Sequence, residues 1–226
     1  MKSLRDFRHW LFYRLLTRRA DSICQMGNAA TGCHWTFCQD LLNAGSIVYS
    51  GGVGKDISFE TELQERFGCQ IWLFDPSPTG RETMDDPRYH SPSLHFEPLG
   101  LAGTDGVIHL APPSNAEEGS WFASHSTLSD VVSVPCEKLS TIMARNGHRT
   151  IDLLKLDIEG AEYEVLESVL SDRIPVDQIC VEYHHGMLPG IKRSQTIRSV
   201  LRLLAFGYRL VDKFGNNHIF VHRRAL

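Results

Sequence analysis

Acidic and imidazole side chains follow two apolar runs in the second half of the sequence. Asp157 comes directly after the run Ile151–Leu156, and Glu182 and His184 lie at the end of the run 178–183. Because the carboxyl ends of parallel strands meet at one edge of a sheet, we expect these side chains to lie together there. Such a group can accept protons, and its carboxylates can also bind a divalent metal ion.

A glycine-rich turn follows an apolar run in the first half of the sequence. It spans Ser50 to Gly54, and the missing side chains at Gly52 and Gly54 let the backbone turn sharply and approach a ligand. The next apolar run ends at Asp75, some 20 residues on, where a carboxylate can bind both hydroxyls of a ribose. A turn-forming role before Pro76 is the alternative for this aspartate. The pattern predicts binding of an adenosine-containing cofactor.

Asp56 narrows the choice of cofactor. The third glycine of the dinucleotide fingerprint is absent, and Asp56 stands near the start of the helix that follows the turn. A carboxylate there would repel a pyrophosphate and would suit a ligand with a cationic group. This favours S-adenosylmethionine over NAD. An NAD-dependent oxidoreductase and a non-catalytic protein that binds an adenosyl ligand are the alternatives.

Four stretches carry motifs in a recognisable order. They are residues 46–60, 74–76, 154–162 and 181–184, and the third contains the pattern Lys-x-Asp-x-Glu-Gly-x-Glu. These stretches resemble the FkbM-type family of S-adenosylmethionine-dependent methyltransferases. Gly32 and Trp35, shortly before the first of them, look like that family's Gly-x-Trp entry segment. Gly51 is a departure, since a larger residue is expected there.

The resemblance implies the α/β fold of class I methyltransferases. This Rossmann-like fold has a seven-stranded, mostly parallel sheet with an antiparallel last strand and helices on both faces. The implied reaction is methyl transfer to a hydroxyl oxygen of a sugar or another small molecule. We expect the cofactor to contact Ser50, Gly52, Val53, Gly54, Asp56, Asp75, Pro76, Leu101 and Asp157.

Two roles are open to the acidic edge if the acceptor is a hydroxyl. His184 is our first choice for general base, with Asp157 and Glu182 as further catalytic residues. Alternatively, the two carboxylates bind a divalent ion that lowers the hydroxyl pKa. We favour a base without a required metal, because histidine fits poorly beside carboxylates around a hard ion. Glu159 and Glu162 begin a helix, where carboxylates are favoured in any case.

Short apolar runs alternate with helical patterns along most of the chain, as in β-α units around a parallel sheet. The predicted strands are 46–50, 70–74, 95–101, 107–110, 151–156, 178–183, 208–213 and 218–222. One predicted helix ends at about 67, two others span 136–146 and 194–205, and a fourth follows Asp157. The polar stretch 112–129 predicts a loop long enough to act as a lid or a substrate-recognition segment.

The N-terminal segment predicts an amphipathic helix over residues 1–20. Leu4, Phe7, Leu11 and Leu15 recur at helical spacing, whereas several arginines lie on the other face. We expect the apolar face to pack on the domain and Trp10 to be buried. A surface for a membrane or a partner is the alternative. Residues 1–44 are thus predicted as a helical extension of a single domain over 1–226.

Composition limits the class of protein. The chain has 226 residues, a formal net charge of -4 and 42% hydrophobic residues, which is typical of a soluble globular domain. The mildly acidic balance argues against a nucleic-acid partner. The six cysteines lack the regular spacing of a disulfide-bonded domain, so we expect reduced thiols and a cytoplasmic protein. No apolar run is long enough to span a bilayer, so we expect no transmembrane segment.

Overall fold

The structure is a computed structural model that describes residues 4–18, 20, 22–113, 119–123 and 131–226. Most of the predicted lid, 112–129, lies outside the described residues. Within the described residues, no helix is both long and apolar enough to cross a bilayer.

Helices and strands alternate along the described part of the chain. The helices are α1 (Leu4–Leu16), α2 (Ser58–Phe67), α3 (Pro78–Met84), α4 (Leu139–Asn146), α5 (Glu162–Ser171) and α6 (Arg193–Ala205). The first strands are β1 (Ile23–Asn28), β2 (Cys33–Cys38), β3 (Ile47–Gly51), β4 (Gln70–Phe74), β5 (Leu94–Glu97), β6 (Gly100–Leu101) and β7 (Gly106–Ala111). The remaining strands are β8 (Phe122–Ala123), β9 (Val132–Glu137), β10 (Ile151–Leu156), β11 (Val176–Glu182), β12 (Tyr208–Phe214) and β13 (Asn217–His222).

Seven of the described strands form one sheet in the order β12-β13-β11-β10-β3-β4-β5. Neighbouring strands from β11 to β5 are parallel, and the last strand, β13, is antiparallel to both β11 and β12. This confirms the predicted sheet, including its antiparallel last strand. The carboxyl ends of β3, β4, β10 and β11 therefore share one edge.

The central strands are buried on both faces, as parallel sheets require. The apolar residues of β10 are fully buried, and α4, α5 and α6 pack on one face of the sheet. On the other face, α2 packs together with a hairpin made of β1 and β2. The prediction of helices on both faces is confirmed.

A second sheet, in the order β6-β9-β7-β8, was not predicted as such. The predicted strand 95–101 is two strands in different sheets, β5 and β6. Pro98 stands between them, and proline has no N–H to continue a ladder. The predicted helix 136–146 begins only at Leu139, because Cys136 belongs to β9 and pairs with Gly100 and Gly106.

The N-terminal segment differs from the prediction in two ways. The prediction of a helical extension over 1–44 is wrong for residues 23–38, which form the antiparallel β1–β2 hairpin. The face of α1 that packs on the domain contains Tyr13, with Phe12 and Leu16 beside it, whereas Trp10 is 55% exposed. The expected burial of Trp10 is therefore wrong.

Buried hydrogen bonds hold the hairpin on the sheet. The Gln178 side chain accepts a hydrogen bond from Cys38 N at 3.0 Å and donates one to Cys38 O at 3.2 Å. At the other end of β1, Gly27 N donates to Glu62 Oε2 of α2 at 2.9 Å. These contacts fix the hairpin tip, residues 28–33, beside the carboxyl edge of the sheet.

Candidate active site

A cleft with a volume of about 800 Å³ lies at the carboxyl edge of the sheet. This size is in the range of sites for small molecules and cofactors. All but one of the residues predicted for the cofactor or for catalysis line it. They are Gly52, Val53, Gly54, Asp56, Asp75, Pro76, Leu101, Asp157, Glu182 and His184.

The glycine-rich turn approaches the end of β10 closely. Gly52 has φ +88°, and a Cβ atom there would lie 1.9 Å from Asp157 O. Asp157 N also donates to Gly51 O at 3.1 Å. Only glycine fits at position 52, so the turn presents bare backbone to the cleft.

Asp75 clamps this turn from the neighbouring strand. One carboxylate oxygen accepts hydrogen bonds from Val53 N at 2.9 Å and Gly54 N at 3.0 Å, and the other accepts from Ser77 N at 2.8 Å. A carboxylate offers about four lone-pair sites, so capacity remains for a ligand hydroxyl. Asp75 therefore shapes the turn in addition to lining the cleft.

Ser50 does not line the cleft, in contrast to the prediction. Its side chain is fully buried behind the turn and donates to Glu60 Oε1 at 2.5 Å. Lys155, 3% exposed, lies beside this pair, with its Nζ 3.5 Å from the same Glu60 oxygen and 2.5 Å from Gly52 O. Burial alone would lower the pKa of Lys155, but Glu60 and Asp157 outweigh it and raise that pKa. The lysine is thus a buried cation that supports the turn.

Asp56 joins the helix that follows the turn to the hairpin tip. Its carboxylate accepts hydrogen bonds from Ser58 N at 2.7 Å and from the Thr31 hydroxyl. These hydrogen bonds outweigh the effect of burial and lower the pKa of Asp56. The carboxylate lines the cleft in its charged form and also holds Thr31 in place.

His184 lies at the centre of the acidic edge. Its side chain is 2% exposed; Nδ1 is 2.7 Å from Glu162 Oε1, and Nε2 is 3.3 Å from Glu159 Oε2 and 3.6 Å from Asp157 Oδ1. Both ring nitrogens therefore face carboxylate oxygens. This arrangement favours the doubly protonated, cationic imidazolium.

The pKa values of the cluster move away from their ordinary values. Burial lowers the pKa of His184, but the hydrogen bond and charge of Glu162, together with Glu159 and Asp157, raise it to about 9. Burial and the charge of Asp157 raise the pKa of Glu182 to about 7, although His184 opposes this shift. Near neutral pH, His184 already carries its proton, whereas Glu182 can take one up.

Glu162 and Glu159 position the histidine. Glu162 is fully buried and accepts backbone hydrogen bonds from Ile158 and Gly160, each at 3.1 Å. Glu159 has φ +51°, a left-handed conformation that costs about 1–3 kcal/mol in a residue other than glycine. The predicted capping role fits Glu162, which also contacts His184.

Asp157, Glu182 and His184 could together hold a metal ion. Each offers one ligand atom, and these atoms lie within 4.8 Å of one another. Carboxylates and imidazole suit several divalent ions. The geometry therefore keeps the metal alternative open.

Some residues that line the cleft were not in the predicted site. Asn28, Thr31 and Cys33 reach it from the hairpin tip, and Lys155 from the Lys-x-Asp motif. Trp121, from the predicted lid, lines the cleft and donates to Thr79 Oγ1 at 3.1 Å. The small and polar residues between the two hairpin strands were the available signal for a turn at 28–33.

The acidic edge should make stability fall as pH rises. As pH rises from 4.5 to about 7, Glu182 lowers the free energy of unfolding, because the folded state still holds a proton that the unfolded state has lost. The raised pKa of His184 stabilises the fold fully below pH 6.5, and this contribution is lost as pH rises through about 9. Urea unfolding in EDTA from pH 5 to 9 measures both.

The variant His184→Gln should lose the part of this pH dependence above pH 6.5. His90→Gln, at an exposed histidine outside the cleft, is the matched control and should keep the whole profile. A wild-type stability that rises between pH 7 and 9 relative to His184→Gln would contradict the assigned charge of the cluster.

The comparison with solved structures finds matches of low sequence identity. The Methanococcus jannaschii fibrillarin pre-rRNA processing protein is 10% identical with a TM-score of 0.45, and the alignment covers 80% of this chain and 67% of that one. Aeropyrum pernix fibrillarin, solved with natively bound S-adenosyl-L-methionine, is 12% identical with a TM-score of 0.44, covering 80% and 66%.

Curated relatives are similar over most of this chain. A human protein named probable methyltransferase-like protein 24 is 28% identical over 192 residues, which cover 79% of this chain and 44% of that protein. Its Rattus norvegicus counterpart is 28% identical over 170 residues, covering 74% and 39%. The chain therefore spans less than half the length of these relatives.

The family model described as the methyltransferase FkbM domain matches residues 48–210. This match includes the glycine-rich turn, Asp75 and the acidic edge. The resemblance stated from the sequence motifs is thereby confirmed, and the chain belongs to the FkbM methyltransferase family.

Proposed function

We propose that this chain is an S-adenosylmethionine-dependent methyltransferase that methylates a hydroxyl oxygen of a small molecule or a sugar. Membership of the FkbM family supports methyl transfer. The observation that carries the choice of oxygen is the position of Glu182, whose carboxylate lines the cleft beside Asp157 and His184. Burial and the charge of Asp157 raise its pKa to about 7. A hydroxyl needs a proton acceptor when it is methylated, and this one is matched to neutral pH.

The cleft fits the proposed cofactor. The close approach of Gly52 to Asp157 leaves bare backbone where a bulky ligand can lie against the turn. Asp75 has accepting capacity left for a ribose hydroxyl, and the charged Asp56 suits the cationic amino-acid part. When bound, S-adenosylmethionine supplies a methyl group on a positively charged sulfur, which carboxylates near the cleft favour.

Glu182, and not His184, is the proposed general base. The sequence favoured His184, but an imidazolium whose pKa is about 9 has no free lone pair near neutral pH. Glu182 takes the proton that the acceptor hydroxyl loses. His184, held between carboxylates, keeps a positive charge at the acidic edge and orients Asp157 and Glu159. It is thus a positioning residue.

A reducing compartment such as the cytoplasm is the proposed setting. All six cysteines are free, and four of them, Cys38, Cys69, Cys136 and Cys180, are buried. Burial raises the pKa of Cys180 and Cys69, which keeps these thiols protonated and unreactive.

Cofactor binding and transfer of a labelled methyl group together test the function. Calorimetry should show binding of S-adenosylhomocysteine and no binding of NADH. Asp75→Ala should weaken binding by about 1.5–3 kcal/mol, through loss of the one charge-assisted hydrogen bond that Asp75 has capacity to accept from a ribose hydroxyl. Asp85→Ala is the matched control, because Asp85 is an exposed carboxylate at the end of α3, the helix that follows Asp75.

The acceptor class is tested with methyl-labelled S-adenosylmethionine and a panel of sugars and hydroxylated metabolites. We expect label in a product that resists alkali, as a methyl ether does and a methyl ester does not. Label on nitrogen or carboxylate acceptors alone would overturn the methylation of a hydroxyl oxygen. Tight NADH binding without a response to S-adenosylhomocysteine would overturn the cofactor. Loss of turnover in EDTA, restored by a divalent ion, would select the metal alternative.

A further inference from the structure

Helix α1 presents a continuous apolar surface to solvent. Phe7, Trp10, Leu11 and Leu15 are 54%, 55%, 38% and 62% exposed, and the Phe7 and Trp10 rings lie 5.9 Å apart. The opposite side of the helix packs on the domain through Tyr13. Because these four side chains recur every three or four residues, they form one stripe along the helix, which we call the outer face of α1.

Basic residues are interleaved with this stripe. Arg8, Arg14 and Arg18 are exposed and lie at helical spacing from Trp10, Leu11 and Leu15. Six of the 23 basic residues of the chain lie in its first 20 positions, against one of its 27 acidic residues. The outer face of α1 is therefore positive, although the chain as a whole is negative.

We propose that the outer face of α1 binds the surface of a bilayer that contains anionic lipids. Aromatic and leucine side chains beside arginines are the composition of helices that lie in the plane of a membrane interface. Anionic headgroups complement the arginines, and the acyl boundary accepts the four exposed apolar side chains. A nucleic acid would satisfy the arginines but would leave Leu11 and Leu15 in water.

The direction of α1 relates this surface to the cleft. Arg18 N donates to Leu210 O at 2.8 Å, and Lys213 Nζ lies 4.7 Å from the centre of the Tyr13 ring. The helix therefore runs antiparallel to β12, and its first turns, with Phe7 and Trp10, point to the carboxyl edge of the sheet. Bound to a bilayer, the protein holds its cleft on the side of the headgroups.

Two exposed apolar residues lie at the same edge of the sheet. Phe214, at the carboxyl end of β12, is 68% exposed, and Met187, which lines the cleft, is 60% exposed. Asn216 Nδ2 lies 3.3 Å from Met187 Sδ, so the two segments are in contact. Both residues are near the end of the sheet that the first turns of α1 approach.

Vesicle binding by the 226-residue chain tests the proposal. We expect flotation with vesicles that contain phosphatidylserine, weaker flotation with phosphatidylcholine alone, and loss at high salt. Trp10 fluorescence should shift to the blue on binding, and Trp10→Phe should remove most of the shift, since Trp35 is buried. Arg8→Glu with Arg14→Glu should weaken binding by at least about twentyfold.

Phe7→Ser with Trp10→Ser should weaken vesicle binding by at least about tenfold. The matched controls are Val107→Ser, at an apolar residue 63% exposed on β7, and Arg149→Glu, at an exposed arginine before β10. Both controls should bind vesicles like the wild type. All variants change exposed side chains, and an unchanged melting temperature confirms their folding.

Three outcomes would overturn the proposal. The first is equal flotation of the wild type and the Arg8→Glu, Arg14→Glu variant. The second is a dimer in solution that Phe7→Ser with Trp10→Ser converts to a monomer without any vesicle binding. The third is salt-dependent binding of RNA in place of vesicles.

Discussion

Glu182→Gln is expected to lower the rate of methyl transfer by about 10²–10⁴-fold, the range that a positioned general base contributes. Glutamine has nearly the same shape but cannot accept the hydroxyl proton. Cofactor affinity should change little, since the change removes a proton acceptor and not a cofactor contact. The measurement is kcat and KM with a hydroxylated acceptor, and the affinity for S-adenosylhomocysteine in parallel.

The pH profile separates a base from a merely structural carboxylate. With a pKa of about 7 for Glu182, kcat/KM of the wild type should rise with pH and level off above neutrality. The variant should lack this rise. Glu65→Gln, at an exposed carboxylate on α2, is the matched control and should keep it. An unchanged rate in Glu182→Gln would exclude the base role.

Lys155→Ala is expected to lower the free energy of unfolding by about 3–5 kcal/mol, because it leaves the buried carboxylate of Glu60 without a cation. Gly52 O loses its hydrogen-bond donor as well. We therefore also expect weaker binding of S-adenosylhomocysteine, since the glycine-rich turn loses its support. Urea unfolding and calorimetry measure the two effects.

Removing both charges of this pair should cost less than removing one. The double variant Lys155→Met, Glu60→Gln keeps the side-chain volume without a buried charge, and it should recover most of the lost stability. Arg173→Ala, at an exposed cation, should have little effect. A double variant as unstable as Lys155→Ala would show that packing of Trp35, whose ring lies 5.4 Å from Lys155 Nζ, dominates instead.

The sheet and most of the cleft could be predicted because the signals are local. Buried strands of a parallel sheet are short apolar runs, and each of β3, β4, β10 and β11 ends where the run meets glycine or a carboxylate. Because neighbouring parallel strands run in the same direction, their carboxyl ends lie together at one edge of the sheet. Asp75, Asp157 and Glu182 followed from position alone, before any contact was known.

The orientation of α1 could not be predicted, because the helix is apolar on two sides. Leu4, Phe7, Leu11 and Leu15 recur at helical spacing, but so do Phe12, Tyr13 and Leu16. Periodicity indicates that an apolar face exists and does not decide which of two faces packs. Here the face with Tyr13 packs on the domain, where the Tyr13 ring contacts that of His218 on β13.

The charges of the acidic edge also could not be predicted. Sequence placed His184 beside Asp157, but the pKa of a histidine depends on every carboxylate around it. Glu162 reaches its Nδ1 from the first turn of α5, a contact that only the packed structure reveals. Likewise, Ser50 was predicted to contact the cofactor, but its hydroxyl donates its hydrogen bond to Glu60 instead.

The contact between Gly52 and Asp157 joins the proposed cofactor-binding turn to the proposed catalytic edge, and so would couple the affinity for the cofactor to the speed of the reaction. A change of the backbone at this turn displaces Asp157 at the same time, because the space between Gly52 and Asp157 O is too small for even a Cβ atom. A substitution in this turn that changes how tightly the product S-adenosylhomocysteine is held would therefore also move the acidic edge. Asp75 is no exception, because its carboxylate accepts hydrogen bonds from Val53 N and Gly54 N of the same turn.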